Sequence, residues 1–228
     1  MARRTEKQTF IALLEAAKAG DLPLFRKLLD QGADPNARGW AGDTMLHEAA
    51  SAGDRAVLLE LLARGADPDA RNEGNSTPLH YAAVYGRAEI VRELISHGAN
   101  PAARGFDGQT ALHYAARLAT NVAVFKELLA HGLDPNVRTR LGETPLHYAT
   151  LSARPAVLRK LIAAGADIGA KDHQGHTPAQ FARSNGRRGT RELLHQALRE
   201  TRRSDPPSAT RWASRVTTKS KPSPGIGS

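Results

Sequence analysis

The chain has 228 residues, with 32 Lys and Arg against 23 Asp and Glu for a formal charge of +9, and only 5% of it is aromatic. It has no cysteine, which excludes disulfides, cysteine-ligated zinc, iron–sulfur clusters and a cysteine nucleophile. No uncharged apolar run approaches the roughly 20 residues that a membrane-spanning helix needs, and small aliphatic side chains must supply most of any core.

At the N-terminus Arg3-Arg4 begins like a secretory leader, but Glu15 interrupts the apolar run that starts at Phe10. The segment reads better as an amphipathic helix with Leu13, Leu14, Ala17 and Leu22 near one face. With neither leader nor span, the expected location is the cytoplasm. The alternative is secretion without a classical signal peptide.

Beyond this helix a repeat governs the chain. Thr-x-Leu-His occurs at Thr44–His47, Thr77–His80, Thr110–His113 and Thr144–His147, with a degenerate copy at Thr177-Pro178-Ala179-Gln180; the steps are 33, 33, 34 and 33 residues. A second ladder begins at Gly32, Gly65, Gly98, Gly132 and Gly165, with the same steps. Two motifs that share one period and its single irregularity mark a true internal repeat.

One unit shows why it folds. Thr144 is suited to cap a helix, and Pro145 fits the first helical position, where its missing N–H costs nothing. Leu146, Ala149 and Thr150 form a slim inner face. Pro155 opens a second helix with Val157, Leu158, Leu161 and Ile162 as its buried stripe, and Gly165 ends it in the left-handed region. The connecting tip carries Gly42, Asn75, Gly108, Gly142 or Gly175, and Asn is the residue that best tolerates positive φ after Gly. The extra residue of the 34-residue unit is expected near Ala119-Thr120-Asn121, in the turn between two helices. Gln180, three residues after Thr177, still allows a capping box.

These residues resemble the ankyrin repeat, whose period and T-P-L-H-x-A signature they share. The resemblance implies an all-α ankyrin-repeat solenoid of paired antiparallel helices with β-hairpin-like loops. Six repeats are expected in a domain spanning 1–199, at about 6–38, 39–71, 72–104, 105–138, 139–171 and 172–199, the first and last as caps. It also implies a non-enzymatic module that binds another protein on its concave face. The recurrent His, in this family, bonds locally and ties neighbouring repeats together.

No motif requires a catalytic explanation: there is no P-loop, dinucleotide fingerprint or nucleophile elbow, so no enzyme activity and no cofactor are expected. His47, His80, His113 and His147 occupy one repeat position, about 10 Å from copy to copy, too far to share a metal. His173 and His176 fall on the last tip without further ligands.

Positions that vary between copies are the candidate ligand surface. Two places before the tip glycine stand Trp40, Glu73, Phe106, Arg140 and His173; just after it stand Asp43, Ser76, Gln109, Glu143 and His176. The first-helix ends add Tyr85, Arg117 and Leu151. Aromatic and Arg residues supply most interface hot spots, so Trp40, Phe106, Tyr85 and Arg140 are the leading anchors, whereas Tyr81, Tyr114 and Tyr148 are expected to pack inside the stack. Each repeat ends on Arg38, Arg71, Arg104, Arg138 or Lys171, and only Lys171 is followed by the Asp usual at that place. This column points to an acidic protein partner. Residues 200–228 have no apolar period and are expected to be a disordered, basic tail. Nucleic acid is a candidate partner for that tail only. The protein is expected to be monomeric. The excess of Arg over Lys fits a GC-rich, bacterial genome, which leaves an exported effector acting on a host protein as a second functional reading.

Overall fold

The computed structural model describes residues 2–118, 121–152, 154–184, 192–196 and 199. The expected disordered tail at 200–228 lies outside the described residues.

Helices follow one another in pairs joined by short turns, which reverse the chain. They are α1 (Ala2–Lys18) with α2 (Leu22–Asp30), α3 (Met45–Ala52) with α4 (Arg55–Ala63), α5 (Pro78–Val84) with α6 (Ala88–Ser96), α7 (Ala111–Leu118) with α8 (Ala123–Ala130), and α9 (Pro145–Ser152) with α10 (Pro155–Ala163); α11 (Pro178–Ser184) follows. The first helices of successive pairs pack on one another, as do the second helices, so the units stack in two layers. One continuous apolar core runs from Phe10 to Leu194. The inner faces are slim, with Ala49/Ala50, Ala82/Ala83, Ala115/Ala116 and Ala149/Thr150 all buried. Larger side chains such as Phe25, Leu58, Leu94, Phe125 and Leu161 fill the space between the layers.

The local rules act where the sequence placed them. Pro145 and Pro155 open α9 and α10, and Gly165 follows α10 at φ 92°. Val157, Leu158, Leu161 and Ile162 are all buried. The long unit has its extra residue between α7 and α8, as expected.

The loops expected to resemble hairpins are tighter than strands. Each of the five tips, 39–43, 72–76, 105–109, 139–143 and 172–176, closes with its first N–H donating to its fifth carbonyl, at 2.7–3.1 Å. Among the described residues the only β-like pairing is an isolated bridge between Arg38 and Thr44. Asn75 takes positive φ, 58°, as its place in the glycine series requires. Ala41 and Asp107, each just before a tip glycine, also take it, at 54°, with no residue type to signal it.

The recurrent histidine is the main joint. In each Thr-x-Leu-His copy the Thr N–H donates to the His Nδ1 at 3.0–3.1 Å. The imidazole thus fills the place of the usual Glu or Gln in a capping box, and the arrangement puts the ring proton on Nε2. From there His47 donates to the Ser76 carbonyl (3.0 Å), His113 to Glu143 (3.2 Å) and His147 to His176 (3.1 Å), each in the next unit. Each ring also meets an aromatic ring of the following unit edge-on: His47 with Tyr81, His80 with Tyr114, His113 with Tyr148 and His147 with Phe181, at centroid distances of 5.1–5.6 Å. Gln180 replaces the histidine in the degenerate copy and makes the same cap, accepting the Thr177 N–H at 2.9 Å.

Burial holds all four histidines below their ordinary pKa, His80 and His113 at about 4. A lowered folded-state pKa means that the unfolded chain takes up the protons first. The stabilisation is therefore complete above the unfolded value of about 6.5 and is lost as pH falls toward about 4. Urea midpoints measured at pH 7 and pH 4.5 should show a marked loss in acid, with His80 and His113 each contributing on the order of 3 kcal/mol. His113→Gln keeps an acceptor for the Thr110 N–H but cannot titrate, so it should flatten that pH dependence.

Candidate partner-binding site

Three of the six large exposed apolar side chains among the described residues stand on the tips. Trp40, Phe106 and Leu141 are 55%, 68% and 55% exposed, and Tyr85, at the C-cap of α5, is 54% exposed. Trp40 is partly seated: its ring meets Phe10 of α1 edge-on at a centroid distance of 5.8 Å. Gly39 permits this approach, because a Cβ there would run into the Phe10 ring. Arg140 is exposed at its tip, Arg117 is exposed at the end of α7, and Leu151 is half-buried in α9. Leu141 was missed in the sequence reading. It stands immediately before a tip glycine, where the copies read Ala41, Gly74, Asp107, Leu141 and Gln174. Variation between copies marks this position as it marks its neighbours.

The residues just after the tip glycine are not free for a ligand, contrary to expectation. Gln109 and Glu143 are buried, and the carbonyls of Ser76, Glu143 and His176 are the acceptors of the histidine joints. Asp43 accepts the Tyr81 hydroxyl at 3.0 Å and the Asn72 amide at 2.7 Å. Glu143 accepts the Tyr148 hydroxyl at 2.7 Å. Burial, followed by the Asp43 hydrogen bond, pushes the Tyr81 hydroxyl up to about 12, and Tyr148 is raised in the same way. These tyrosines lie inside the stack, as expected: Tyr148 is buried and Tyr81 and Tyr114 are half-buried.

The basic column has a structural task that the sequence did not reveal. Arg38 Nη1 donates to the carbonyls of Gly42 (2.9 Å) and Arg71 (2.6 Å). Arg71 repeats this with Asn75 (3.2 Å) and Arg104 (2.8 Å), Arg104 with Gly108 (3.0 Å) and Arg138 (2.7 Å), and Arg138 with Gly142 (2.8 Å) and Lys171 (2.6 Å). Each guanidinium thus clasps its own tip and the end of the next unit. All five column residues are exposed. Among the described residues none of them forms an ion pair, and neither do Arg117 and Arg140. The acidic partners of the other arginines lie on the second helices, where Arg26–Glu60, Arg55–Glu93 and Arg92–Glu127 join successive units at 2.8 Å.

Among the described residues no group of three or more His, Asp or Glu is placed to hold a metal ion. No helix of the described residues is long and apolar enough to cross a membrane. A cavity of about 110 Å³ between α1, α3 and α4, lined by Leu14, Met45, Ala49 and Val57, is small beside the roughly 300–1,000 Å³ of a ligand pocket.

The family model for ankyrin repeats matches residues 13–105, 100–172 and 121–205. The chain belongs to the ankyrin-repeat family, a class of protein–protein interaction modules. A search of curated proteins returned no match.

The clasp and the exposed cation can be told apart by stability. Arg138→Met removes two charge-assisted bonds to carbonyls and should cost about 1–3 kcal/mol. Arg140→Met should stay within about 0.5 kcal/mol of the parent. Chemical denaturation of the two variants checks this.

Proposed function

We propose that the chain is a non-catalytic docking protein that binds an acidic protein partner on its concave face, across its tips and the adjacent helix ends. One observation carries the reading. The same side of the stack presents exposed rings and a column of guanidinium groups whose hydrogen bonds go to neutral carbonyls, with no carboxylate paired to them. Bonding to a carbonyl orients an arginine without cancelling its charge. Arg38, Arg71, Arg104, Arg138 and Lys171 supply a positive field that steers an acidic surface into place. Trp40, Phe106 and Tyr85 then supply the apolar anchors, with Leu151 beside them and with Leu141 as an addition. Arg140 and Arg117 supply direct ion pairs, since no ion pair within the stack occupies them.

The stacking arginines are poor probes, because changing them also loosens the fold. Tyr85→Ala, Phe106→Ala and Arg140→Glu avoid this. Quantitative affinity capture from cells of the source, comparing the parent with each variant, should show one dominant partner depleted at least tenfold by each change. That partner's surface should be acidic, and its capture should weaken as salt rises. Undiminished capture of the dominant partner by all three variants would remove this surface from consideration.

A further inference from the structure

The stack is not uniformly joined. Three contacts recur at the junction between the α3/α4 and α5/α6 units, and again between the α7/α8 and α9/α10 units. The first is the histidine joint, made by His47 and His113. The second links tip to tip: Glu73 N–H donates to the Ala41 carbonyl (2.9 Å), and Arg140 N–H to the Asp107 carbonyl (3.0 Å). The third is a side-chain clasp on the loop after the second helix, where Asp69 accepts the Asn100 N–H (3.0 Å) and Asn136 accepts the Asp167 N–H (2.7 Å).

At the intervening junction, between α5/α6 and α7/α8, the histidine joint is weakened and the other two contacts are missing among the described residues. His80 Nε2 is buried and poorly held: the Gln109 backbone acts on it, but no acceptor stands in full hydrogen-bond geometry. Phe106 N–H, the counterpart of Glu73 and Arg140, makes no bond to the preceding tip. The clasp position is Ala102, which has no acceptor to offer. What remains lies chiefly away from the tips. Arg92 pairs with Glu127 between the second helices (2.8 Å), and the Asn121 side chain donates to the Gly86 carbonyl at the inter-helix turns (3.1 Å). On the tip side the Arg104 clasp to the Arg138 carbonyl and the edge-on contact between the His80 and Tyr114 rings (5.1 Å) are kept.

We propose that this junction is a hinge, at which the units up to residue 104 and those from residue 105 part on the tip side while the second helices stay joined as the pivot. Opening lets water reach His80 Nε2–H, so a buried donor held in poor geometry in the closed form gains a full partner in the open form. It also changes the separation of Trp40 and Phe106, which stand on opposite sides of the hinge. A binding face divided in this way adjusts its span to the partner that it meets. The hinge concerns the array itself and holds whether or not the partner is acidic.

Amide hydrogen exchange of the full chain, resolved by residue, tests it without a partner. Gly105, Thr139 and Asp172 open equivalent tips, are all buried, and each donates its N–H across its own tip, at 2.7, 2.9 and 3.0 Å. If the hinge opens, Gly105 should show protection at least about fivefold lower than the other two, roughly the weight of one hydrogen bond. Ala102→Asn offers the missing acceptor to the Asp134 N–H. It should raise Gly105 protection by about the same factor and leave Thr139 and Asp172 unchanged. Equal protection at the three glycine, threonine and aspartate amides, or an Ala102→Asn effect spread evenly over all tips, would overturn the proposal.

Discussion

Three of the four Thr-x-Leu-His histidines serve two structures at once. The Nδ1 takes the N–H that a helix start leaves unpaired, and this fixes the ring proton on Nε2, where it joins the next unit at His47, His113 and His147. Local folding and stacking are thereby coupled through one ring. A unit whose helix is not capped presents the wrong nitrogen to its neighbour, and a unit without a neighbour leaves its Nε2–H to water. This is a physical account of why thin two-helix units, with alanine-lined inner faces and little core of their own, hold together only as an array. It also explains the cost of the arrangement in acid, because a ring protonated on both nitrogens can no longer cap.

The architecture was legible in the sequence because its causes are local and repeated. Thr144, Pro145, Pro155, Gly165 and Asn75 each announce one backbone requirement, and the structure meets it at that residue. The site was legible only in part. Trp40, Phe106, Tyr85 and Arg140 stand exposed where variation between copies placed them, whereas Gln109 and Glu143 vary just as freely and are buried. Variation shows that a position is released from one shared packing role; it does not show that the position faces solvent. The arginine column was harder still. Its regularity was plain, but its acceptors are backbone carbonyls, which every residue possesses and which leave no mark in a sequence. Without the usual following Asp the arginines looked unoccupied, when each was bonded to its own tip and to the next unit.

The charge pattern divides the molecule by side. Ion pairs between units run along the second helices, from Arg26–Glu60 through Arg55–Glu93 to Arg92–Glu127, with arginines 50–61% exposed. Pairs of this kind contribute little singly, typically about 0.2–1 kcal/mol. Their larger effect is on the field, because they consume carboxylates on the side away from the tips. In sequence the basic excess is concentrated in residues 199–228, which hold seven basic groups against two acids.

The arginine clasps bear on how this surface can change over time. Arg38, Arg71, Arg104 and Arg138 reach past the tip side chains to grip main-chain oxygens at Gly42, Asn75, Gly108 and Gly142 and at the end of the following unit. A mutation at residue 40, 106, 140 or 141 replaces part of the proposed binding face and leaves every one of those oxygens where it was. Recognition can thus be rewritten tip by tip while the stitching beneath stays intact, and lineages carrying this array are free to trade one partner for another without first passing through an unfolded intermediate sequence.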